Sequence, residues 1–366
     1  MTKNRIIVAA VLLALLVLLL PLSVQGQGTI SVSNSQAQMS FPLSLNFSAQ
    51  IQSSANITDV RLRYQFEQAS FANVVSEGFV NVTPAKSLSA RFTLDMQKIG
   101  GVPSGVVVHY WWAVKDASGA SLVSPPVRFQ IIDTRYKWQN LTQGDISLNW
   151  YSGSSDFAQT LMTTAQQALV KLKNDTGASL SKMVSVWIYA SAQDLQGAMV
   201  FPQEWTGGVA YTNYGIIAIG IPTNQLSWGQ GAMTHELTHQ VVFQMTFNPY
   251  NDLPVWLNEG LAMYSEGPLD SSYVTLLNNA LKTNTAFTVK TLASPFSAFS
   301  DKASLSYAES YSFVDYLVSN YGSAKMLQLL NTFQQGSNYD PALQSVYGFD
   351  MDGLYNLWKP WATGRY

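Results

Sequence analysis

The hydrophobic period of this chain changes partway along, and that change constrains its fold more than any other feature. Up to about residue 134, apolar residues come in seven short runs (30–32, 43–47, 60–66, 78–82, 88–94, 106–114 and 127–132) separated by turn residues. The runs are rich in Val, Phe, Tyr and Thr, which suit a pleated, half-buried surface. In Arg61-Leu62-Arg63-Tyr64-Gln65-Phe66, polar and apolar residues alternate, the pattern of a strand buried on one face. Asp116-Ala117-Ser118-Gly119 reads as a hairpin turn and Ser124-Pro125-Pro126 as a further break. These features predict an all-β sandwich of immunoglobulin or fibronectin type over 28–134.

Beyond about residue 145 the spacing lengthens. Leu161, Ala165, Ala168, Leu169 and Leu172 recur at helical intervals within 157–172. Residues 183–189 read as a strand, 192–199 as a short helix, and 208–211 with 215–219 as a strand pair. After that the chain is largely helical to its end, so 145–366 is expected to form an α+β domain with a helical C-terminal part. The division falls between residues 133 and 149.

Lys3 and Arg5 precede an apolar run over 6–20, followed by Pro21 and small residues up to Gly26. That order is the signature of a secretory signal over 1–26, with the mature chain starting at Gln27. A retained membrane anchor is the rival reading, since about 18 apolar residues can just span a bilayer. Either way the expectation is an extracellular or cell-surface protein, and a monomer. The 20 Lys plus Arg against 22 Asp plus Glu leave a formal charge of -2, so no basic surplus exists to neutralise phosphates and nucleic acid is not expected as a partner. The absence of Cys excludes disulfide scaffolds, thiolate metal sites and thiol catalysis. Imidazole chemistry is restricted to His109, His235 and His239. His109, inside Val106-Val107-Val108-His109-Tyr110, is expected to pack in or beside a sheet.

Two of those three histidines lie four residues apart, in Thr234-His235-Glu236-Leu237-Thr238-His239. Four helical residues advance about 400°, which stacks both imidazoles on one face, one turn apart, where they can meet a single Zn²⁺. Glu236 is then placed to reach a water at the metal without ligating it. Met233, Leu237, Val241 and Met245 supply the face that would bury the helix. A hydrolytic zinc site needs a third protein ligand and an open position. Glu259 is the candidate: Asp252 and Pro254 are helix-start signals, apolar Trp256, Leu257, Leu261 and Ala262 flank it, and Gly260 lets another element approach closely.

His235-Glu236-Leu237-Thr238-His239, with Trp256-Leu257-Asn258-Glu259-Gly260-Leu261-Ala262 downstream, resembles the gluzincin metallopeptidases, and among them the peptidase MA-like and aminopeptidase N catalytic domains. The resemblance covers residues 150–360 and leaves the N-terminal strands outside. It implies a zincin fold holding one Zn²⁺ on His235, His239 and Glu259, with Glu236 as general base. Relatives of aminopeptidase N also carry a Tyr, a small residue three positions on and an apolar helix; Tyr307, Ser310, Phe313, Val314 and Leu317 fall in that register. The family then implies that Tyr307 donates to the oxyanion of the tetrahedral intermediate. No His follows His239, so a thermolysin-type downstream His is ruled out. A core tyrosine on an amphipathic helix is the other reading of Tyr307. Those relatives also carry an acid in the strand before the zinc helix that pairs with the substrate amine. Here that position holds Ala210 and Tyr211, with Glu204 outside the pattern, so recognition of a free amino terminus has lost its anchor.

The chain is thus expected to be an exported zinc metallopeptidase acting on peptide or protein substrates through a metal-activated water. Two alternatives stand beside it: a zinc aminopeptidase with non-standard amine recognition, and a non-catalytic surface-binding protein built on a zincin scaffold.

Overall fold

A computed structural model describes residues 29–72, 74–203 and 206–366. The apolar segment over 6–20 and Glu204 lie outside them. Among the described residues no helix is long and apolar enough to cross a membrane.

The N-terminal part is β-rich: β1 (Ser31–Ser40), β2 (Ser44–Phe66), β3 (Ser76–Val80), β4 (Ala85–Asp95), β5 (Val107–Asp116), β6 (Ser121–Val123) and β7 (Val127–Gln130) form one seven-stranded sheet. Two of the expected strands, 43–47 and 60–66, are one continuous strand, β2. Its first half pairs antiparallel with β1 and β4, its second half with β3 and β5. The polar stretch Ser53 to Asn56 looks like a break in sequence, but a register shift between Gln52 and Ile57 absorbs it without ending the strand. Leu62 is buried as the alternation predicts, while Arg61 and Arg63 reach Glu77 on β3 at 2.6 and 2.8 Å. Gly119, at φ 87°, closes the turn before β6, a strand too short to register in the sequence pattern.

A second sheet has the order β11-β12-β10-β9-β8, built from β8 (Gln139–Gln143), β9 (Ile146–Trp150), β10 (Val184–Tyr189), β11 (Gly208–Tyr211) and β12 (Ile216–Gly220). β9, β10 and β12 run parallel, and β11 and β8 are antiparallel edges. β8 lies before residue 145, where the sequence pattern first turns α+β, because Gln139-Asn140-Leu141-Thr142-Gln143 has one apolar residue and carries no period. The central strands are apolar on both faces because both faces are covered. Val186, Ile188, Ile217 and Ile219 pack with α1 (Ser155–Thr176), while Trp187, Tyr189, Ile216 and Ala218 join the core of the N-terminal sheet beside Tyr110 and Trp112. The two halves therefore share one hydrophobic cluster. α1 is capped by Ser154, whose Oγ accepts from the Phe157 N–H, and stops at Gly177 in the left-handed region. The short helix expected over 192–199 is confined to α2 (Ala192–Gln196).

The rest is helical: α3 (Leu226–Thr246), α4 (Val255–Glu266), α5 (Ser271–Thr283), α6 (Ser300–Tyr321), α7 (Ser323–Gln334), α8 (Tyr339–Tyr347) and α9 (Met351–Arg365). Trp256, Phe313 and Trp358 centre a second core, with the Trp358 indole N–H donating to Ser312 at 2.7 Å.

Candidate metal centre

The histidine-bearing helix is held from two sides. Met233, Leu237 and Val241 are fully buried, and the first two pack on the helix-covered face of the second sheet. Pro254 stands at the N-cap of α4 in an extended conformation, and no side chain caps the helix. Asp252, expected as a start signal, therefore does not cap this helix. A Cβ built on Gly260 would come within 2.3 Å of the Ser310 carbonyl. The glycine expected to allow a close approach does so, and the element it admits is α6, which carries Tyr307.

α3 and α4 bring His235, His239 and Glu259 together, with one ligand atom from each lying within 4.8 Å of the others. Glu259 Oε2 lies 3.4 Å from His235 Nε2 and 3.5 Å from His239 Nε2. Ligands at the tetrahedral corners around Zn²⁺ are separated by about 3.3 Å, from bond lengths near 2.0–2.1 Å. The outward nitrogen of each ring is spoken for. His235 Nδ1 is 2.7 Å from Glu266 Oε1, and His239 Nδ1 is 3.1 Å from Asn258 Oδ1. Both partners are acceptors, so Nδ1–H donates and Nε2 is the ring atom turned toward Glu259. Glu259 Oε2 itself is buried and receives no hydrogen bond. A buried carboxylate oxygen set between two imidazole Nε2 atoms, each of which can give up its proton to a metal, fits a divalent cation.

The electrostatics agree. Burial opposes charge on His235, but its contacts with Glu259 and Glu266 outweigh this and push it up to about 10. Burial likewise opposes ionisation of Glu259, yet His239 and His235 hold it well below the ordinary carboxylate range. The cluster thus draws positive charge into a buried place. Glu236 is shifted upward by burial, against the pull of the two histidines, and it hydrogen-bonds the backbone of Ala210 on β11.

Tyr307 stands beside this group, its ring 6.4 Å from that of His235 and edge-on to Phe296 at 5.2 Å. Burial, with the charges of Glu259 and Glu236, raises its phenol, so the hydroxyl stays a donor. His109 is elsewhere, half-exposed on β5 and 2.6 Å from Glu67. Glu266 is the residue that sequence reasoning missed. It follows Glu259 by seven positions, two helical turns, and that spacing was the available signal.

The family model described as the Peptidase MA superfamily matches residues 164–364. Among solved structures, a variant of an M1 zinc metallopeptidase from Deinococcus radiodurans is 10% identical with a TM-score of 0.43, covering 90% of this chain and 92% of that one. A variant of a two-domain M1 zinc metallopeptidase is 10% identical with a TM-score of 0.39, covering 91% and 93%. OgpA from Akkermansia muciniphila is 12% identical with a TM-score of 0.24, covering 30% of each chain. No curated protein matches.

Proposed function

The chain belongs to the peptidase MA superfamily, and from that premise we propose that it is a zinc-dependent peptidase with Glu236 as general base. The observation that carries the reading is the orphaned Glu259 oxygen set between two imidazole nitrogens, with the buried Glu236 carboxylate of α3 packed against edge strand β11. A Zn²⁺ held by His235, His239 and Glu259 supplies a Lewis acid that polarises a carbonyl and brings water's pKa near neutrality. Glu266 and Asn258 fix the tautomer and orientation of the two imidazoles. Among the described residues β11 pairs with β12 alone, which leaves its outer edge for an extended substrate backbone. Glu236, raised by burial and steadied by Ala210, takes a proton from the attacking water and returns it to the leaving nitrogen. Tyr307 donates to the developing oxyanion.

Gly208 to Tyr211 offer no acid for a substrate amine, so β11 itself supplies no anchor for a free amino terminus. The pairing of β2 with β1 and β4 along one half, and β3 and β5 along the other, supports reading the N-terminal sheet as two layers of a fibronectin-like sandwich. Export rests on the segment up to Gly26, and a mature chain starting at Gln27 is its measurable consequence. The chemistry is tested with Glu236→Gln. The variant should keep its metal while peptide turnover falls by on the order of 1,000-fold; unchanged turnover would remove the mechanism.

A further inference from the structure

A cleft of about 370 Å³ opens beside His239 and Asn258, between the end of α3, the turn Thr212-Asn213 after β11 and the loop leading to α4. A substrate strand lying along β11, in either direction, leaves one of its ends at that turn. Its lining mixes apolar side chains such as Val242 and Phe247 with polar Asn and Thr residues. Asp252 is its only carboxylate, and neither Lys nor Arg lines it. The Asp252 side chain makes no ion pair with another described residue and does not cap α4. Its charge reaches Tyr339, whose phenol is raised by burial and then by this carboxylate. Beside it, Asn251 donates its amide N–H groups to Ser337 and Asn338, while its Oδ1 is buried with no donor. The Asn251 oxygen is closed off from solvent, so the group left to meet a ligand is the exposed, unpaired Asp252, the lone carboxylate on the lining, and a cation is what it attracts.

We propose that this cleft is a substrate subsite for an organic cation, with Asp252 as the specificity-determining residue. The inference rests on the peptidase reading and adds its substrate class: peptides that place an ammonium or guanidinium group on this side of the scissile bond. Such a cation comes from a Lys or Arg side chain or from a free amino terminus. The N-terminal part of the chain braces the same wall. The Ala69 N–H donates to the Asn213 carbonyl at 2.7 Å, and Phe71 stacks on Phe247 at 4.5 Å.

The test uses the full, metal-loaded chain and a peptide series varied among Lys, Gln and Glu at each position near the cleaved bond, with blocked and free amino termini. Turnover is measured on the wild type, and affinity on the Glu236→Gln variant. Blocked Lys peptides should exceed their Gln counterparts roughly tenfold in kcat/KM and in affinity. Asp252→Asn should collapse that ratio toward one, and Asp252→Lys should turn it toward Glu. A preference confined to free-amine peptides, and lost in Asp252→Asn, supports the site and assigns its cation to the chain terminus. A charge preference absent in the wild type, or untouched by both substitutions, overturns the proposal even if peptides are cut. Asp252-dependent affinity for cationic peptides without any turnover would instead sustain the subsite and remove the peptidase reading.

Discussion

Gly208 and Glu236 are in such close apposition that a Cβ on the glycine would stand 2.7 Å from the glutamate's Oε1. The edge strand therefore presses bare backbone against the proposed base, and the neighbouring Ala210 backbone holds the same carboxylate. Gly208→Ala should push Glu236 out of line. Displacements of about 1 Å at a reacting group cost on the order of 100-fold, so kcat should fall by that factor with bound metal unchanged. Metal analysis with steady-state kinetics on the variant checks it, and a kcat within twofold of the wild type would show that the contact does not position the base.

Glu266 acts on the metal only through His235, by the 2.7 Å bond to Nδ1. Glu266→Gln keeps the shape but weakens the acceptor, so affinity for Zn²⁺ should drop 10–100-fold, the usual effect of losing such a partner. Competition against a chelator reads this directly. Activity at saturating Zn²⁺ should recover most of the loss, which separates a metal-affinity effect from a catalytic one.

Glu309 on α6 is fully buried, with both carboxylate oxygens 3.1 Å from the Phe287 N–H. Burial pushes its pKa from 4.5 up to about 8. Across that window the folded chain keeps a proton that the unfolded chain has released, so stability falls as pH rises from about 4.5 to 8 and levels off above. The loss summed over the window is on the order of several kcal/mol. Glu309→Gln, neutral at every pH, should flatten the dependence. Urea midpoints of both proteins between pH 4.5 and 8.5 test it, and parallel curves would contradict the burial argument.

The shared core predicts that the two halves cannot be parted cheaply. Removing residues 29–134 would bare Trp187, Tyr189, Ile216 and Ala218, which are all buried in the intact chain. The truncated protein should aggregate or bind a hydrophobic dye strongly. A soluble 135–366 fragment with a sharp unfolding transition would show that the interface is dispensable.

Local periodicity carried much of this protein in its sequence. The two-residue alternation of Arg61 to Phe66, the helical spacing of Leu161 to Leu172 and the one-turn offset of His235 and His239 are set by backbone geometry alone, and each is found where the pattern puts it. Strand β2 was legible only as two pieces, because a register shift that preserves pairing across Ser53 to Asn56 depends on the partner strands. β8 was illegible because edge strands with polar faces carry no apolar period. The apolar-rich runs at 183–189 and 215–219 announced strands, but that one face meets helices and the other the N-terminal sheet is a matter of packing.

For the candidate centre, the sequence by itself determined which side chains can share a helical face: His235 with His239, and Glu259 with Glu266. It could not determine that Glu266 and Asn258 would take the outward ring nitrogens, that Gly208 would lie on Glu236, or that Asp252 would be left uncapping at the mouth of a cleft. Those relations join residues on different elements, from 19 positions apart in the chain to 31. Only the crossing of α3, α4 and β11 sets such distances, because a helix or strand specifies its own repeat and leaves the choice of neighbour to burial and close packing.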